Sequence, residues 1–245
     1  MSRIGVITAV TAADSRYLVT LVDSLLAQTL TDWQLILAED GPTESARRWA
    51  DVDPRIVWLN SATRAGPATA RNLAATRLDA GLWRNLDADD WLADDGVLER
   101  TVEVFTDESI AYAVGPVVDA ADDVRVPFAD LLEPGPIQPG VLYRGWLDRG
   151  HRGLAHPTSL AMRTDVFRRF GGYPELPSSE DTALLLLVSQ HETGWYLDRP
   201  VTFYRKRPDS MTASPRHTDP AETAARIATI RNLCDGDRAA DLVTD

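Results

Sequence analysis

A single α/β unit, with a mostly parallel central sheet and helices on both faces, is the fold class predicted by this 245-residue sequence. Three observations carry it. The first hundred residues alternate short apolar runs with segments of helical apolar spacing, and strand, helix, strand repetition implies parallel strands joined by crossover helices. Acidic clusters end two of the apolar runs, at Glu39-Asp40 and at Asp87 to Asp90. In parallel sheets ligands bind beyond the carboxyl ends of the strands, so both clusters should face one crevice. Apolar residues at 44% and charged residues at 25% describe a globular chain with enough hydrophobic mass for a core.

Each element follows from its local pattern. Ile4 to Val10 is an apolar run of strand length. Leu18, Leu21, Val22, Leu25 and Leu26 then recur at helical spacing within Tyr17 to Ala27, with Asp14 and Ser15 as candidate caps. Leu35 to Ala38 predicts a second buried strand, and Pro42 followed by Thr43 and Glu44 predicts a helix through Trp49. Arg55 to Leu59 predicts a third strand, Ala68 to Leu78 a helix, and Leu82 to Leu86 a fourth strand that runs straight into the aspartates. Beyond Ile110 the rhythm changes. A strand over Ile110 to Val118 leads into Asp119 to Gly140, whose Asp, Pro and Gly content predicts an irregular loop or lid. A short helix is expected over Leu142 to Leu147, a strand over Thr158 to Met162, and a helix over Asp165 to Phe170 stopped by Gly171 and Gly172. Asp181 to His191 predicts an amphipathic helix, followed by strands near Trp195 to Leu197 and Val201 to Tyr204 and a closing helix over Ala221 to Leu233.

Charge and cysteine usage exclude several functions. With 37 acidic against 25 basic side chains the formal charge is −12, and the resulting field repels nucleic-acid backbones and anionic headgroups. No nucleic-acid partner is expected, and an anionic small molecule would need a metal ion or an arginine set against that field. The one cysteine, Cys234, allows neither an intrachain disulfide nor a cysteine-based zinc site and fits a reducing, cytoplasmic setting. The start MSRIGVITAV carries no leader pattern, and the longest aliphatic run, Ala183 to Val188, is far short of the roughly 20 residues of a membrane span. A soluble chain without an integral membrane segment is expected. Lys206 is the only lysine, so arginine does almost all cationic duty, a coding bias of GC-rich bacteria.

The strongest local signal is Leu86-Asp87-Ala88-Asp89-Asp90-Trp91, three carboxylates within four positions after an apolar strand. Carboxylate oxygens suit Mg²⁺ or Mn²⁺, which one or two carboxylates and substrate phosphates commonly hold. A solvated acidic turn or helix start is the other reading of the same residues.

The ordered set VITAV, SLLAQT, LILAEDGPTE, RAGPATARNLA, LDADDWL, FGGYPE and SSEDTALLL resembles the family 2 glycosyltransferases, from about Ile4 to Thr212. Each motif is weak alone; their order and spacing make the resemblance specific. It implies a Rossmann-like GT-A fold, a nucleoside-diphosphate sugar donor, a divalent metal (Mn²⁺ or Mg²⁺) and inversion at the anomeric carbon. A nucleotide-sugar-binding half over 1–110, an acceptor-binding half over 111–215 and a C-terminal helical tail over 216–245 are then expected. By the same resemblance Thr8 and Asp40 contact the nucleobase, Arg71 lies near base and diphosphate, Asp87 meets the ribose, and Asp89 binds the metal with Asp90 in support. The pair Glu180-Asp181 resembles the family's acidic pair, which makes Asp181 the general base that takes the acceptor proton. Ser178, Ser179 and Glu180 also read as ordinary N-capping of a leucine-rich helix.

YRKRPDSMT departs from the family pattern, since Arg207 stands where many members carry a histidine. That places Arg207 on the diphosphate, or the segment Arg205 to Ser210 over the donor, and leaves His217 as either a substitute metal ligand or, as a lone loop histidine more often is, simply solvated. His156 falls on the acceptor side, and Trp91, Trp146 and Trp195 could each serve as sugar-stacking faces or simply as core. The expected activity is a single, non-processive, metal-dependent transfer to a soluble hydroxyl-bearing acceptor. Asp40 can accept from the N3–H of uracil or thymine, so UDP-sugars are favoured and dTDP-sugars admitted. The alternatives are a non-catalytic nucleotide-sugar-binding partner or sensor and a sugar nucleotidyltransferase, although the stretch Thr11 to Asp14 lacks the latter's glycine-rich, basic signature.

Overall fold

A computed structural model describes residues 3–121, 124–128, 132–210 and 214–241. In chain order its first elements are β1 (Ile4–Val10), α1 (Leu18–Leu26), β2 (Trp33–Glu39), β3 (Ile56–Asn60), α2 (Pro67–Ala75) and β4 (Leu82–Asn85). β5 (Trp91–Leu92), α3 (Val97–Val104), β6 (Tyr112–Val114), β7 (Val117–Ala121), β8 (Val124–Pro127) and β9 (Gly135–Ile137) follow. The rest are α4 (Val141–Asp148), β10 (Ala161–Arg163), α5 (Thr164–Arg169), α6 (Glu180–His191), β11 (Gly194–Tyr196), β12 (Thr202–Arg205), α7 (Pro215–Thr218) and α8 (Pro220–Asp241).

The central sheet has eight strands in the order β3-β2-β1-β4-β10-β6-β11-β9. β10 and β9 run against the other six strands. Side chains alternate along β1: Val6 and Val10 join Leu18, Leu21 and Val22 of α1 in one apolar layer. Ile7 faces the opposite layer with Ala68, Ala70 and Ala74 of α2 and Leu184 of α6. The mostly parallel sheet with helices on both faces is therefore as the sequence predicts. It also runs through residue 110, because β4 pairs with β10 and β10 with β6.

Four local expectations give way to tertiary structure. The helix expected from Pro42 to Trp49 is replaced by turns and a 3-10 turn over Arg47–Asp51. The cause is Glu39, whose buried carboxylate accepts from Thr43 Oγ1, from the N–H and Oγ of Ser45, from the Ala46 N–H and from Trp58 Nε1. The run Ile110 to Val118 is two strands, broken at Gly115-Pro116, with β6 in the central sheet and β7 in a second sheet ordered β5-β12-β7-β8. Within the expected loop Asp119 to Gly140, β7 and β8 form a hairpin and β9 joins the central sheet, while 122, 123 and 129–131 lie outside the described residues. The helix α6 is not amphipathic: every residue from Ala183 to Ser189 is buried, because the sheet, α4 and α8 all pack against it.

Smaller corrections concern Asp14 and Ser15, which cap no helix, and Thr158, which lies in a 3-10 turn ahead of β10. The two sheets are tied by Arg84, fully enclosed, whose Nη2 donates to Thr202 Oγ1 at 2.8 Å. Burial pulls its guanidinium down to about 10.

Candidate active site

Beyond β4 the chain turns sharply, with Leu86 N–H donating to Ile7 O and Asp90 N–H to Asp87 O. The turn sends the three aspartates in three directions. Asp87 accepts from Arg71 Nη2 at 2.5 Å. Asp89 accepts from Arg207 Nε at 2.7 Å through Oδ2, and among the described residues no donor reaches its Oδ1. Asp90 is fully enclosed, and its two oxygens accept from Thr158 Oγ1 and from the Arg205 N–H, each at 2.9 Å. The supporting metal role expected of Asp90 does not match that placement: its carboxylate is spent on holding the Thr158 turn and β12 against β4. Burial, then Asp87 and Asp89, push its carboxyl well above the usual carboxylate range.

Arg71 is a buried strut on α2. It is 5% exposed and bridges Asp87 to Glu180, with its guanidinium 5.4 Å from the Tyr173 ring centre. Two carboxylates justify one buried guanidinium, which would otherwise be too costly to enclose. Glu180 opens α6, and Asp181 follows it, half-buried, with Oδ1 accepting from the Thr182 N–H at 2.6 Å. Burial, then the Glu180 charge, push the Asp181 carboxyl up to about 7, while Arg71 opposes them. Ser179 starts the helix in the left-handed region at φ 65° and makes no side-chain cap, so capping by Ser179 is not what the segment achieves.

The segment after β12 straps the crevice to the loop after β1. Arg205 Nε donates to Asp89 O at 2.8 Å, and Arg207 Nη2 to Asp14 Oδ1 at 2.6 Å. Both guanidiniums stand about 5 Å from the Tyr17 ring. Although burial works against its charge, Asp89 and Asp14 hold Arg207 firmly protonated. His156, its Nδ1 accepting from the Thr158 N–H, lies against Tyr204 and Phe128. Burial pulls it down to about 4, so it is neutral at physiological pH.

Just beyond β2, Asp40 Oδ1 accepts from the N–H groups of Ala65 at 2.7 Å and Gly66 at 3.1 Å, and Oδ2 accepts from Gly66 at 3.1 Å and stands 3.6 Å from Arg64 Nε, placing the carboxylate at the positive end of α2. It is 8% exposed, and Thr8 is fully enclosed with no hydrogen-bond partner for its hydroxyl among the described residues. The fold thus brings Arg71, Asp87, Asp181 and, through the strap, Asp89 and Arg207 into one connected set, and leaves Thr8 closed off.

The family model for glycosyl transferase family 2 matches residues 6–170, more than half of the chain. The chain belongs to glycosyl transferase family 2. Two solved structures similar to it are of S. aureus TarS residues 1–349. The UDP-GlcNAc complex has a TM-score of 0.75 at 16% identity, covering 94% of this chain and 66% of that one. The UDP complex has a TM-score of 0.66 at 15% identity, covering 84% and 61%. The chain spans less than two thirds of the TarS length it matches, and at such identity the likeness shows the fold. No curated protein matches the chain significantly.

In this family 2 chain the metal question rests on the carboxylates. Among the described residues no group of three or more His, Cys, Asp or Glu side chains stands together to hold an ion. Asp89, with one oxygen free of donors, fits a hard cation whose other ligands come from substrate oxygens and water. His217 lies instead in the wall of a cavity beside α8. Trp91 stacks with Phe203 and Arg205, Trp146 is buried, and Trp195 packs on the core. Sequence reasoning missed the structural parts played by Arg205, Asp14, Thr158 and Tyr173. The available signal was the density of arginine in Arg205-Lys206-Arg207 opposite an aspartate-rich crevice. Among the described residues no helix is long and apolar enough to cross a membrane.

Proposed function

We propose that the protein moves a sugar from a nucleoside diphosphate to an acceptor hydroxyl with inversion, in one metal-dependent transfer. The observation that carries the reading is Asp181, a carboxylate tuned to about 7 and wired through Glu180 and Arg71 to Asp87 in the donor crevice. A general base works best when its pKa lies near the operating pH. Asp181 would take the acceptor proton as the acceptor oxygen bonds to C1 and the bond from C1 to the diphosphate breaks on the opposite face, which inverts that carbon. Asp87 would orient the ribose, and Arg207, released from Asp89, would face the diphosphate. Mn²⁺ or Mg²⁺ held by Asp89 would supply Lewis-acid stabilisation of the diphosphate leaving group. The tuned base and the intact crevice favour this enzyme over a non-catalytic sensor. A buried lone Cys234 suits a cytoplasmic setting.

Uridine is the nucleoside we favour. The neighbouring TarS structures hold UDP and UDP-GlcNAc, and Asp40 Oδ2, which now takes Gly66 N–H and stands 3.6 Å from Arg64 Nε, would exchange one of these for the N3–H of the base. Calorimetric titration with UDP, dTDP, GDP and CDP, each with and without Mn²⁺, tests base and metal together. UDP should bind most tightly and need the metal. Tightest binding of GDP or CDP overturns the nucleoside reading, and metal-independent UDP affinity overturns the role of Asp89.

A further inference from the structure

A cavity of about 250 Å³ is enclosed by α4, α6, α8 and the loop ahead of β10. It stands apart from the crevice already described, since none of Arg71, Asp87, Asp89, Glu180, Asp181 and Arg207 lines it. Its backbone is unusual. Among the described residues the non-glycine positions at positive φ are His151 at 69° and Ser179 at 65°, and both line this cavity. A left-handed non-glycine residue is unfavourable and persists where its surroundings hold it, characteristically at ligand sites. Ser179 makes no side-chain cap there. His151 closes α4 with its N–H on Trp146 O at 2.7 Å, a place where glycine is the ordinary residue. Its ring packs edge-on against Trp146 in the cavity wall.

The wall carries a cation without its usual partner. The chain holds 37 acidic residues, yet among the described residues no Asp or Glu lines this cavity. The one arginine or lysine in the wall is Arg226, whose Nη2 donates to His217 O at 2.9 Å and Thr223 Oγ1 at 3.2 Å. Both acceptors are neutral, and among the described residues no carboxylate pairs with Arg226, in contrast to Arg71 and Arg207. His217 Nδ1 is buried with no hydrogen-bond partner among the described residues, and such an atom is destabilising until a partner is supplied. His156 gives its Nδ1 to the Thr158 N–H at 3.3 Å, which leaves the ring proton on Nε2. Much of the remaining wall is aromatic or aliphatic, including Phe128, Trp146, Leu186, Ile227 and Ile230. An apolar cavity of about 150 Å³ takes one benzene ring, so this one accommodates a body of roughly ten heavy atoms.

We infer that this cavity is a ligand site for a small organic monocarboxylate with a compact ring body, its charge met by Arg226 and its ring covered by the aromatic and aliphatic wall. The charge count selects the class. A dianion such as a phosphate monoester would enclose a second negative charge beside a single guanidinium. An uncharged saccharide would find polar partners in Ser179, Thr182, His151 and His156, but would leave Arg226 without a counter-charge. The site and its ligand class do not depend on the reaction proposed above, because none of the side chains given a part in that reaction lines the cavity.

The test titrates the protein by calorimetry at neutral pH with 4-hydroxybenzoate and cyclohexanecarboxylate. Methyl 4-hydroxybenzoate is the uncharged isostere, phenyl phosphate the dianion and methyl glucoside the saccharide. Wild type should bind at least one of the two carboxylates, and should bind the ester, the phosphate and the glucoside at least tenfold more weakly than that one. Arg226→Gln should weaken carboxylate binding tenfold or more and abolish the preference over the ester, since a bond to a charged group is lost. Ala155→Phe, which places a ring in the cavity, should weaken carboxylate and ester alike. Thermal melts of each variant report its fold, and the carboxylate that binds should raise the melting temperature of wild type and not of Arg226→Gln. Equal affinity for carboxylate and ester in wild type, or tighter binding of phenyl phosphate or methyl glucoside, would overturn the ligand class. No binding of either carboxylate by a cooperatively melting wild type, or unchanged carboxylate affinity in a folded Arg226→Gln or Ala155→Phe protein, would overturn the site.

Discussion

Replacing Glu180 with glutamine should move the ionisation of Asp181 downward. Glu180 is 1% exposed and spends Oε1 on Arg71, while Oε2 has no partner among the described residues. The Asp181 carboxyl stands at about 7 against an ordinary 3.8, first through burial and second through the Glu180 charge. The substitution deletes the second cause and leaves Arg71 less neutralised, and both changes favour the ionised form of Asp181. Burial remains, so the shift is part of the whole displacement: about one unit, or about 1.4 kcal/mol. The working base is the ionised form, so rate rises with pH through this ionisation. A base at about 7 is roughly one tenth active at pH 6 and one at about 6 is half active, so the variant's rate at pH 6, relative to its own plateau, rises about fivefold. UDP release from a UDP-sugar between pH 5 and 9 reads the profile, and carbon NMR of labelled aspartate, assigned with Asp181→Asn, reads the ionisation directly. An unmoved or raised midpoint would refute the claim that Glu180 tunes Asp181.

Asp181→Asn should keep donor affinity and slow transfer about 100-fold or more, measured by product formation. It should also stabilise the fold at high pH. A folded-state value above the unfolded one means that stability is full below pH 3.8 and is lost as pH rises toward 7, so the variant should gain about 1–2 kcal/mol at pH 8 and nothing at pH 3, by chemical denaturation. Asp89→Ala should abolish metal-dependent UDP binding with the fold intact, and Arg207→Gln should lower the Mn²⁺ concentration needed for half-maximal UDP binding, because the guanidinium competes for the same carboxylate. Equal metal requirement in wild type and Arg207→Gln would remove that competition. Gly194→Ala should cost about 2 kcal/mol of stability, since a Cβ there would stand 2.2 to 2.6 Å from the Tyr112 ring on the neighbouring strand; a melting temperature equal to wild type would contradict this packing.

The elements whose periodicity comes from one continuous apolar layer were legible. β1 matches its expected span to the residue, and α5 ends at Arg169, just ahead of Gly171 and Gly172, both at positive φ. Elements whose fate depended on a distant partner were not. Pro42 to Trp49 carries good helix-start chemistry, but Glu39 offers its backbone a better set of hydrogen bonds. The leucines of α6 look like one apolar face until α8 covers the other side. In the site, the aspartate cluster and the acidic pair were readable as residue types. Which aspartate stays open was not, because Thr158 is 68 positions from Asp90 and Arg205 is 115.

The sequence by itself determined the sheet, its helical layers, and the placing of Asp40 and of Asp87 to Asp90 just beyond the carboxyl ends of β2 and β4. Those features rest on local period and on the ends of strands, which neighbouring residues set. Tertiary structure alone decided that Asp90 is enclosed, that Arg71 bridges Asp87 to a glutamate 109 positions away, and that Arg207 already holds Asp89. Burial and long-range charge pairing produce those features, and both exist only once remote segments have met.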